Sequence, residues 1–289
     1  MNEKAADLHI HTTASDGTDK LKKRIKDAEK QGLDAIAVTD HDAINPNLEK
    51  RSFTAQNGVE VITGAEINSE IDGVKIEILG YFLDPKDKKL CKTIEKNKEY
   101  RKKRMKEMVQ RLNNDIGPKI NYVDVRARAD GNVGRPHLAA ELVEKGVVDT
   151  RNQAFNEYIS EDCEAYVQTE RVEAEKIITK IHENGGAAVL AHPGRDLEKD
   201  EAENVINKLS ELGLDGLEVE YTYRHKIRDG YNIKFTEVYA ARLAEREGLI
   251  RTGGSDCHGS KSNKYNIGKV KLDYGCVEKL RRTAESYRN

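Results

Sequence analysis

Short apolar runs alternate with amphipathic stretches along most of this chain. Runs at Ala6–His11, Asp34–Thr39, Val59–Thr63, Val74–Phe82, Ala187–Ala191, Gly216–Glu220, Leu249–Gly253 and Ile267–Leu272 read as strands. Several are nearly continuous in Ile, Val, Leu and Ala, the pattern of strands covered on both faces. Between them lie helical stretches at Thr18–Gln31, Val172–Asn184, Ala202–Leu212 and Thr236–Glu247. This alternation predicts an α/β architecture with a mostly parallel sheet, either doubly wound or closed as a barrel. From about Lys86 to Ala165 the rhythm breaks. Leu90, Ile94, Met105, Val109, Leu112 and Ile116 recur there at helical steps, and Pro136–Lys145 and Arg151–Tyr158 are helical in pattern too. Residues 85–165 therefore read as a helical insertion subdomain on a body formed by residues 1–84 and 166–289.

Composition narrows the class. Charged residues make up 35% of the 289 positions and aromatics 6%, which fits a charged coat over an aliphatic core. A net charge near −2 argues against a uniformly basic coat for nucleic acid. Locally, Lys86–Lys106 holds eleven Lys or Arg against three Asp or Glu, either a solvated helix face or a groove for a polyanion. Cys91, Cys163, Cys257 and Cys276 are far apart with no C-x-x-C pair, which speaks against a disulfide framework or zinc knuckle. No run approaches the roughly 18 apolar residues of a membrane span. The start, MNEKAADLHIH, lacks the apolar stretch of a signal peptide. The expectation is a cytoplasmic protein with no membrane association.

Where the polar residues sit is more informative. His9 and His11 interrupt the end of the first apolar run, and strand alternation points both imidazoles to one side. Asp16 follows in TTASDGT, and His41 lies just past the second run in VTDHD. Glu66 closes the third run in ITGAEI, and His192 ends a later one in AAVLAHPG. Asp256 and His258 form a second alternating pair in TGGSDCHG. A lone His after a strand is ordinarily structural. Five strand ends that each deliver His, Asp or Glu at the C-terminal edge, where parallel α/β folds build their sites, point to a metal cluster. Imidazole and carboxylate without thiolate suit zinc, manganese or iron. Eight such ligands exceed the needs of one ion and fit two or three divalent ions sharing a carboxylate. Clustered ions acidify a bound water and neutralise phosphoryl charge, the two requirements of phosphate-ester hydrolysis.

The series H-x-H with a following Asp, then TDHD, GAE, AHPG and GSDCHG, resembles the PHP superfamily (polymerase and histidinol phosphatase) from His9 to His258. GRPHLA, at Gly134–Ala139, further resembles the TrpH-like branch of metal-dependent phosphoesterases. The resemblance implies a distorted seven-stranded (β/α) barrel with a helical insertion and up to three metals. It implies hydrolysis of nucleotide phosphomonoesters or removal of nucleotides from the 5′ end of short RNA. By motif, His9, His11, Glu66 and Asp256 resemble the ligands of a first metal, with Glu66 bridging to a second that His192 also binds. Asp16, His41 and His258 resemble a third set. One position departs from the family pattern: VKIEILGYF places Glu77 where a ligand His is usual. A carboxylate there can ligate a harder ion, or it can leave the second site weak or empty.

GRPHLA also has a physical logic of its own. Pro136 suits a first helical turn, so Arg135 and His137 flank a helix N-terminus, which favours an anion. They are the predicted phosphate-binding residues, and the bland alternative is a surface Arg with a capping His. His225, in YTYRHKIR, is a candidate substrate contact or proton donor, with Tyr223 where the branch commonly has Pro. Asp40 and Asp42 either orient imidazoles or cap the following helix, His182 reads as structural, and Cys257 reads as a core residue. The expected mechanism is in-line attack of metal-bound hydroxide on phosphorus held by the metals, Arg135 and His137. The leading expectation for the substrate is a small nucleotide such as a nucleoside 3′,5′-bisphosphate. A 5′-to-3′ exonuclease on short RNA or DNA is the alternative that the basic stretch favours, and a non-catalytic metal-binding regulator is the third. A histidinol phosphatase fits less well because of GRPHLA.

Overall fold

The computed structural model describes residues 4–288 apart from 118, 130, 222–236 and 263–266. Ten strands are found among the described residues: β1 (Ala5–Ile10), β2 (Ala35–Val38), β3 (Ser52–Thr54), β4 (Glu60–Ile71), β5 (Val74–Tyr81), β6 (Val172–Glu173), β7 (Ala187–Leu190), β8 (Gly216–Glu220), β9 (Ile250–Gly253) and β10 (Leu272–Asp273). Seven of them run side by side in the order β1-β2-β4-β5-β7-β8-β9. After β9 the chain returns to β1, where His11 N–H donates to the Cys257 carbonyl at 2.9 Å, so the sheet nearly closes into a barrel.

Alternation along the strands explains their uninterrupted apolar sequence. Ala35 and Ala37 of β2 join Leu8, Ile62, Leu79 and Val189 in the barrel cluster, to which helix α10 (Gly275–Ser286) adds Val277 and Leu280. Ile36 and Val38 turn the other way, onto Leu21 and Ala28 of α1 (Leu21–Lys30). Along β7, Ala187 and Val189 face the barrel. Ala188 and Leu190 face Ile177 of α6 (Ala174–Glu183) and Ile206 of α8 (Lys199–Glu211), where α9 (Glu237–Arg246) also packs. A strand buried on both sides has no polar face to show.

Two elements differ from the sequence expectation. The third strand runs on to Ile71 and forms a hairpin with β5 through Asp72 and Gly73, both at positive φ (49° and 76°). Asp-Gly is the signal of a two-residue type I′ turn, so β5 lies antiparallel to both β4 and β7 within an otherwise parallel barrel. At the C-terminal end, only Leu272 and Asp273 pair, antiparallel to β1, where a strand over Ile267–Leu272 is expected. Gly268 there takes a φ of 74°, which breaks the extended run.

Between β5 and β6 lie α2 (Lys88–Ile116), α3 (Tyr122–Ala127), α4 (Arg135–Glu144), α5 (Arg151–Ala154) and one π-helical turn, Phe155–Ile159. Asp87 caps α2 by accepting from the backbone of Lys89 and Leu90. Leu90 and Ile94, early in α2, pack into the cluster of α6. Met105, Met108 and Leu112, further along, belong to a separate cluster with Val125, Leu138, Leu142 and Ile159.

Candidate metal centre

At the rim where the parallel strands end, five imidazoles and four carboxylates converge. Ring centres of His11 and His258 are 4.1 Å apart, of His11 and His41 4.5 Å, of His9 and His11 5.1 Å, and of His9 and His192 5.6 Å. Glu66 stands in the middle. Its Oε2 is 3.3 Å from His9 Nε2, 3.4 Å from His11 Nε2 and 2.9 Å from His41 Nδ1, while its Oε1 is 2.8 Å from His192 Nε2. Asp256 Oδ1 is 3.1 Å from His11 Nε2, and Asp16 Oδ1 is 3.4 Å from His258 Nε2. Donor atoms fall into overlapping sets: His9, His11 and Asp256; His9, Glu66 and His192; His41, Glu66 and Glu77; and His11, Asp16, His41 and His258. Every predicted metal-ligand position is thus brought to one place, Glu77 among them.

The backbone around the cluster shows what holding it requires. Asp42, His192 and Asp256 all adopt positive φ (44°, 24° and 51°), uncommon for residues with a side chain and characteristic of constrained sites. The chain beside β1 must be Gly254, since a Cβ there would lie 2.3 Å from that of His9. A short parallel bridge sets His41 opposite Glu66. Among the described residues, Asp40 and Asp42 neither bind an imidazole nor cap a helix. Asp40 accepts from the Thr12 and Ser15 hydroxyls and so fixes the loop that carries Asp16. Asp42 binds Asn68, Asn97 and Arg101.

The donor set fits divalent ions. His9 Nε2, both ring nitrogens of His11, His41 Nδ1 and Glu66 Oε2 are buried yet make no well-aligned hydrogen bond. His41 Nδ1 and Glu66 Oε2 lie 2.9 Å apart as an ion pair. Buried polar atoms are normally satisfied, and a cluster of orphaned imidazole and carboxylate atoms is what a cation would satisfy. Electrostatics agree. Burial works against the charged form of Glu66, but His41 and His9 outweigh it and hold the carboxyl well below its usual range. Burial likewise opposes charge on His41, yet Glu66 and Asp16 pull it up to about 9. Four carboxylates packed this tightly demand positive charge. The open side is at Asp16 and His41, whose side chains are 22% and 14% exposed while His9 and Glu66 are fully enclosed.

Three residues at the site escaped the sequence reading. Glu218, within the apolar strand GLEVE, accepts from His9 Nδ1 at 2.9 Å and from the His192 backbone at 2.8 Å. A carboxylate behind a ligand imidazole fixes its tautomer and raises its basicity. Arg195, in the short helix α7 (Pro193–Asp196) just after His192, donates to Glu77 at 2.6 Å and lies 3.6 Å from Asp256. Burial and Glu66 both act to raise the Glu77 carboxyl, but Arg195, His41 and His192 prevail and keep it low. Tyr221 donates to Asp256 at 2.8 Å. Only Glu218 left a trace in the sequence, as a charged residue between Leu217 and Val219 inside a short strand.

The insertion reaches the open side of the cluster. Asn132 donates to the carbonyl of His41, and Gly131 abuts the Ala14 carbonyl so closely that a Cβ would lie 2.0 Å from it. His137 Nδ1 accepts from Gly134 N–H at 3.0 Å, so it does cap α4, and burial lowers its pKa despite the pull of nearby Asp16. Arg135 lies against the rings of Phe155 and Tyr166, its Cζ 5.7 and 5.6 Å from their centres. His225 and Tyr223 lie outside the described residues. His182 is remote from the cluster, bound to Asp215 at 2.9 Å and stacked on Tyr287. Cys257 is buried and receives Arg24 Nη1 at its sulfur.

Fold and donor set together define a barrel hydrolase of the metal-dependent phosphoesterase type. The chain belongs to the PHP domain family, whose model matches residues 7–223. It is 33% identical over 256 residues to a 5′-3′ exoribonuclease of Haemophilus influenzae, covering 88% of this chain and 90% of that one. It is 27% identical to a 3′,5′-nucleoside bisphosphate phosphatase of Chromobacterium violaceum, with 91% and 90% covered. A crystal structure from Bifidobacterium adolescentis, assigned as a metal-dependent phosphoesterase, superposes with a TM-score of 0.80 at 28% identity, over 97% and 96% of the two chains. Among the described residues no helix is long and apolar enough to cross a membrane.

Proposed function

We propose that the protein hydrolyses phosphate esters of nucleotides, with a nucleoside 3′,5′-bisphosphate as the leading substrate. The observation that carries this reading is the convergence of nine ligand-type side chains, Glu66 in their middle, in overlapping sets able to hold more than one ion. Two or three divalent ions, manganese, zinc or iron, are the cofactors that this donor set suits. When bound, such ions acidify water and neutralise phosphoryl charge. His9, His11, Glu66 and Asp256 would hold the first, Glu66 and His192 the second, and Asp16, His41 and His258 the third. Glu77 serves the second position as a hard oxygen donor, and its ion pair with Arg195 keeps it ionised for that role. Glu218 keeps His9 turned toward the ions. Residues 85–165 act as a subdomain walling the open side, where Arg135 and His137 bind phosphate. Four free thiols support a reducing, cytoplasmic setting.

The second reading, a 5′-to-3′ exonuclease on short RNA or DNA, uses the same centre and is favoured by the Haemophilus relative. Phosphate and nucleotide release from a 3′,5′-bisphosphonucleoside and from a 5′-phosphorylated oligonucleotide, with manganese and with chelator, tests both. Chelator-sensitive turnover is expected, lost in His9→Ala and Asp256→Asn. The preferred substrate decides between the readings, and no turnover in metal-loaded protein defeats both.

A further inference from the structure

Asp16 and His258 come from two rim loops, after β1 and after β9, that pack directly on each other. Thr18 N–H donates to the His258 carbonyl at 2.7 Å, and Lys261 N–H donates to the Thr18 hydroxyl at 3.1 Å. At the crossing stands Gly259, at φ 101°, where a Cβ would lie 2.4 Å from the Thr18 hydroxyl oxygen. The two donor atoms end 3.4 Å apart, so the spacing of the loops sets the spacing of the donors.

The crossing is joined to a buried cluster of charge on α1. Arg24 is fully enclosed. Its Nη2 donates to Asp19 and, at 2.7 Å, to Asp27, while its Nη1 meets the Cys257 sulfur at 3.0 Å. Asp19, itself buried, accepts from the Ser260 backbone at 2.7 Å and from the Ser260 hydroxyl at 2.9 Å. Burial opposes its charge, but Ser260 and Arg24 hold its carboxyl below the usual range. Cys257 is thereby held on two sides, by its sulfur to Arg24 and by its carbonyl to His11 N–H. An enclosed guanidinium is costly unless its partners are in place. A helix that only had to pack on the barrel would be served by an apolar residue, as Leu21 and Ala28 serve α1 elsewhere. Arg24 instead reaches the chain on both sides of the crossing, at Asp19, three residues after Asp16, and at Cys257, between Asp256 and His258.

We propose that Arg24 is a positioning residue for the metal centre: with Asp19 it clamps the two rim loops together and so builds the seat formed by Asp16 and His258. The inference rests on the reading that a cation binds there, and it makes that one ion separable from the rest. His9 and Glu66 lie within β1 and β4, and Glu218 fixes His9 from behind, so they keep their places without the clamp. Asp256 has Tyr221 as a further anchor. An arginine suits the task because one planar group meets a carboxylate and a sulfur in fixed directions, which an ammonium on a flexible stem does not.

The experiment titrates chelator-treated protein with manganese by calorimetry and counts the ions bound, with melting of each metal-free protein alongside. It compares wild type, Arg24→Gln, Arg24→Lys, Asp16→Asn and the double variant Arg24→Gln/Asp16→Asn. In Arg24→Gln the ion that depends on Asp16 should bind about 10- to 100-fold more weakly, with the other ions unchanged. Arg24→Lys keeps the charge beside Asp19 and Asp27 without the fork, and should fall between Arg24→Gln and wild type. In the Asp16→Asn background, where that seat is already lost, Arg24→Gln should cost nothing further. A merely structural role lacks this dependence. Equal losses in both backgrounds, a loss shared by every ion, or unchanged binding in Arg24→Gln overturns the proposal, and so does an Asp16→Asn variant that binds as wild type does. Should Arg24→Gln melt too low to titrate, Ser260→Ala carries the same cycle. It removes one donor to Asp19 and leaves the buried charges paired, with a loss of about threefold expected and no loss overturning the clamp. Wild-type protein that takes up neither manganese nor zinc defeats the metal-centre reading itself, an outcome distinct from failure of the clamp.

Discussion

Glu218 does its work one layer behind the ligands. Its two oxygens are divided between His9 Nδ1 and the His192 backbone, so one carboxylate sets the pose of two donors at once. Glu218→Gln keeps the shape and loses the charge, and metal affinity should drop about 10- to 100-fold. Titration of chelator-treated protein with manganese reads this directly, and unchanged affinity would reduce Glu218 to packing. Most of the candidate ligand positions were legible because a polar residue there interrupts or closes an apolar run in the sequence. Glu218 and Arg195 were not, since their roles depend on partners 209 and 118 positions away in sequence. Glu77 was legible as a departure from the family pattern, but its partner was not.

At the scale of elements, the β4–β5 hairpin is the main lesson. Strand–helix alternation gave the mostly parallel sheet and the family resemblance its barrel form, while the Asp72-Gly73 pair was present in the sequence as the sign that one strand returns antiparallel. Reading every strand as one of a repeated strand–helix unit hid it. The turn also offers a clean test. A Cβ at Gly73 would meet nothing within 4 Å, so Gly73→Ala is opposed by backbone conformation alone, at φ 76°. The cost should be about 1 kcal/mol. A thermal melt should show a fall of about 2–4 °C; a larger loss would mean that the hairpin supports more than its own turn. The insertion was legible from helical periodicity, but which of its cations face the centre required the fold. Along α2, Lys102 pairs with Glu99 near solvent, while Arg104, two residues on, donates to the Val167 carbonyl.

For the molecule as a whole, the charge held in the centre ties stability to metal. The orphaned donors of the cluster are held together against mutual repulsion of four carboxylates, a load that bound cations relieve. At a hundredfold excess over its dissociation constant, one ion adds about 2.7 kcal/mol to the folded state. The melting temperature should rise by about 5 °C or more with manganese and return with chelator; a melt indifferent to metal would argue against a cation in the centre.

Asp42 has a consequence at this scale. It joins three bodies: the loop of His41, the β4–β5 hairpin through Asn68, and α2 through Asn97 and Arg101. With its backbone already in a sparsely populated conformation, it has little slack. A nucleotide bound against α2 would therefore bear on the residue next to a candidate metal donor, and an ion held by His41 would stiffen the seat of α2. Linkage of this kind is reciprocal, so whatever factor the metal lends to nucleotide affinity, the nucleotide returns to the metal. The two ligands would then be held or released together, and a protein short of metal would also hold its substrate less tightly.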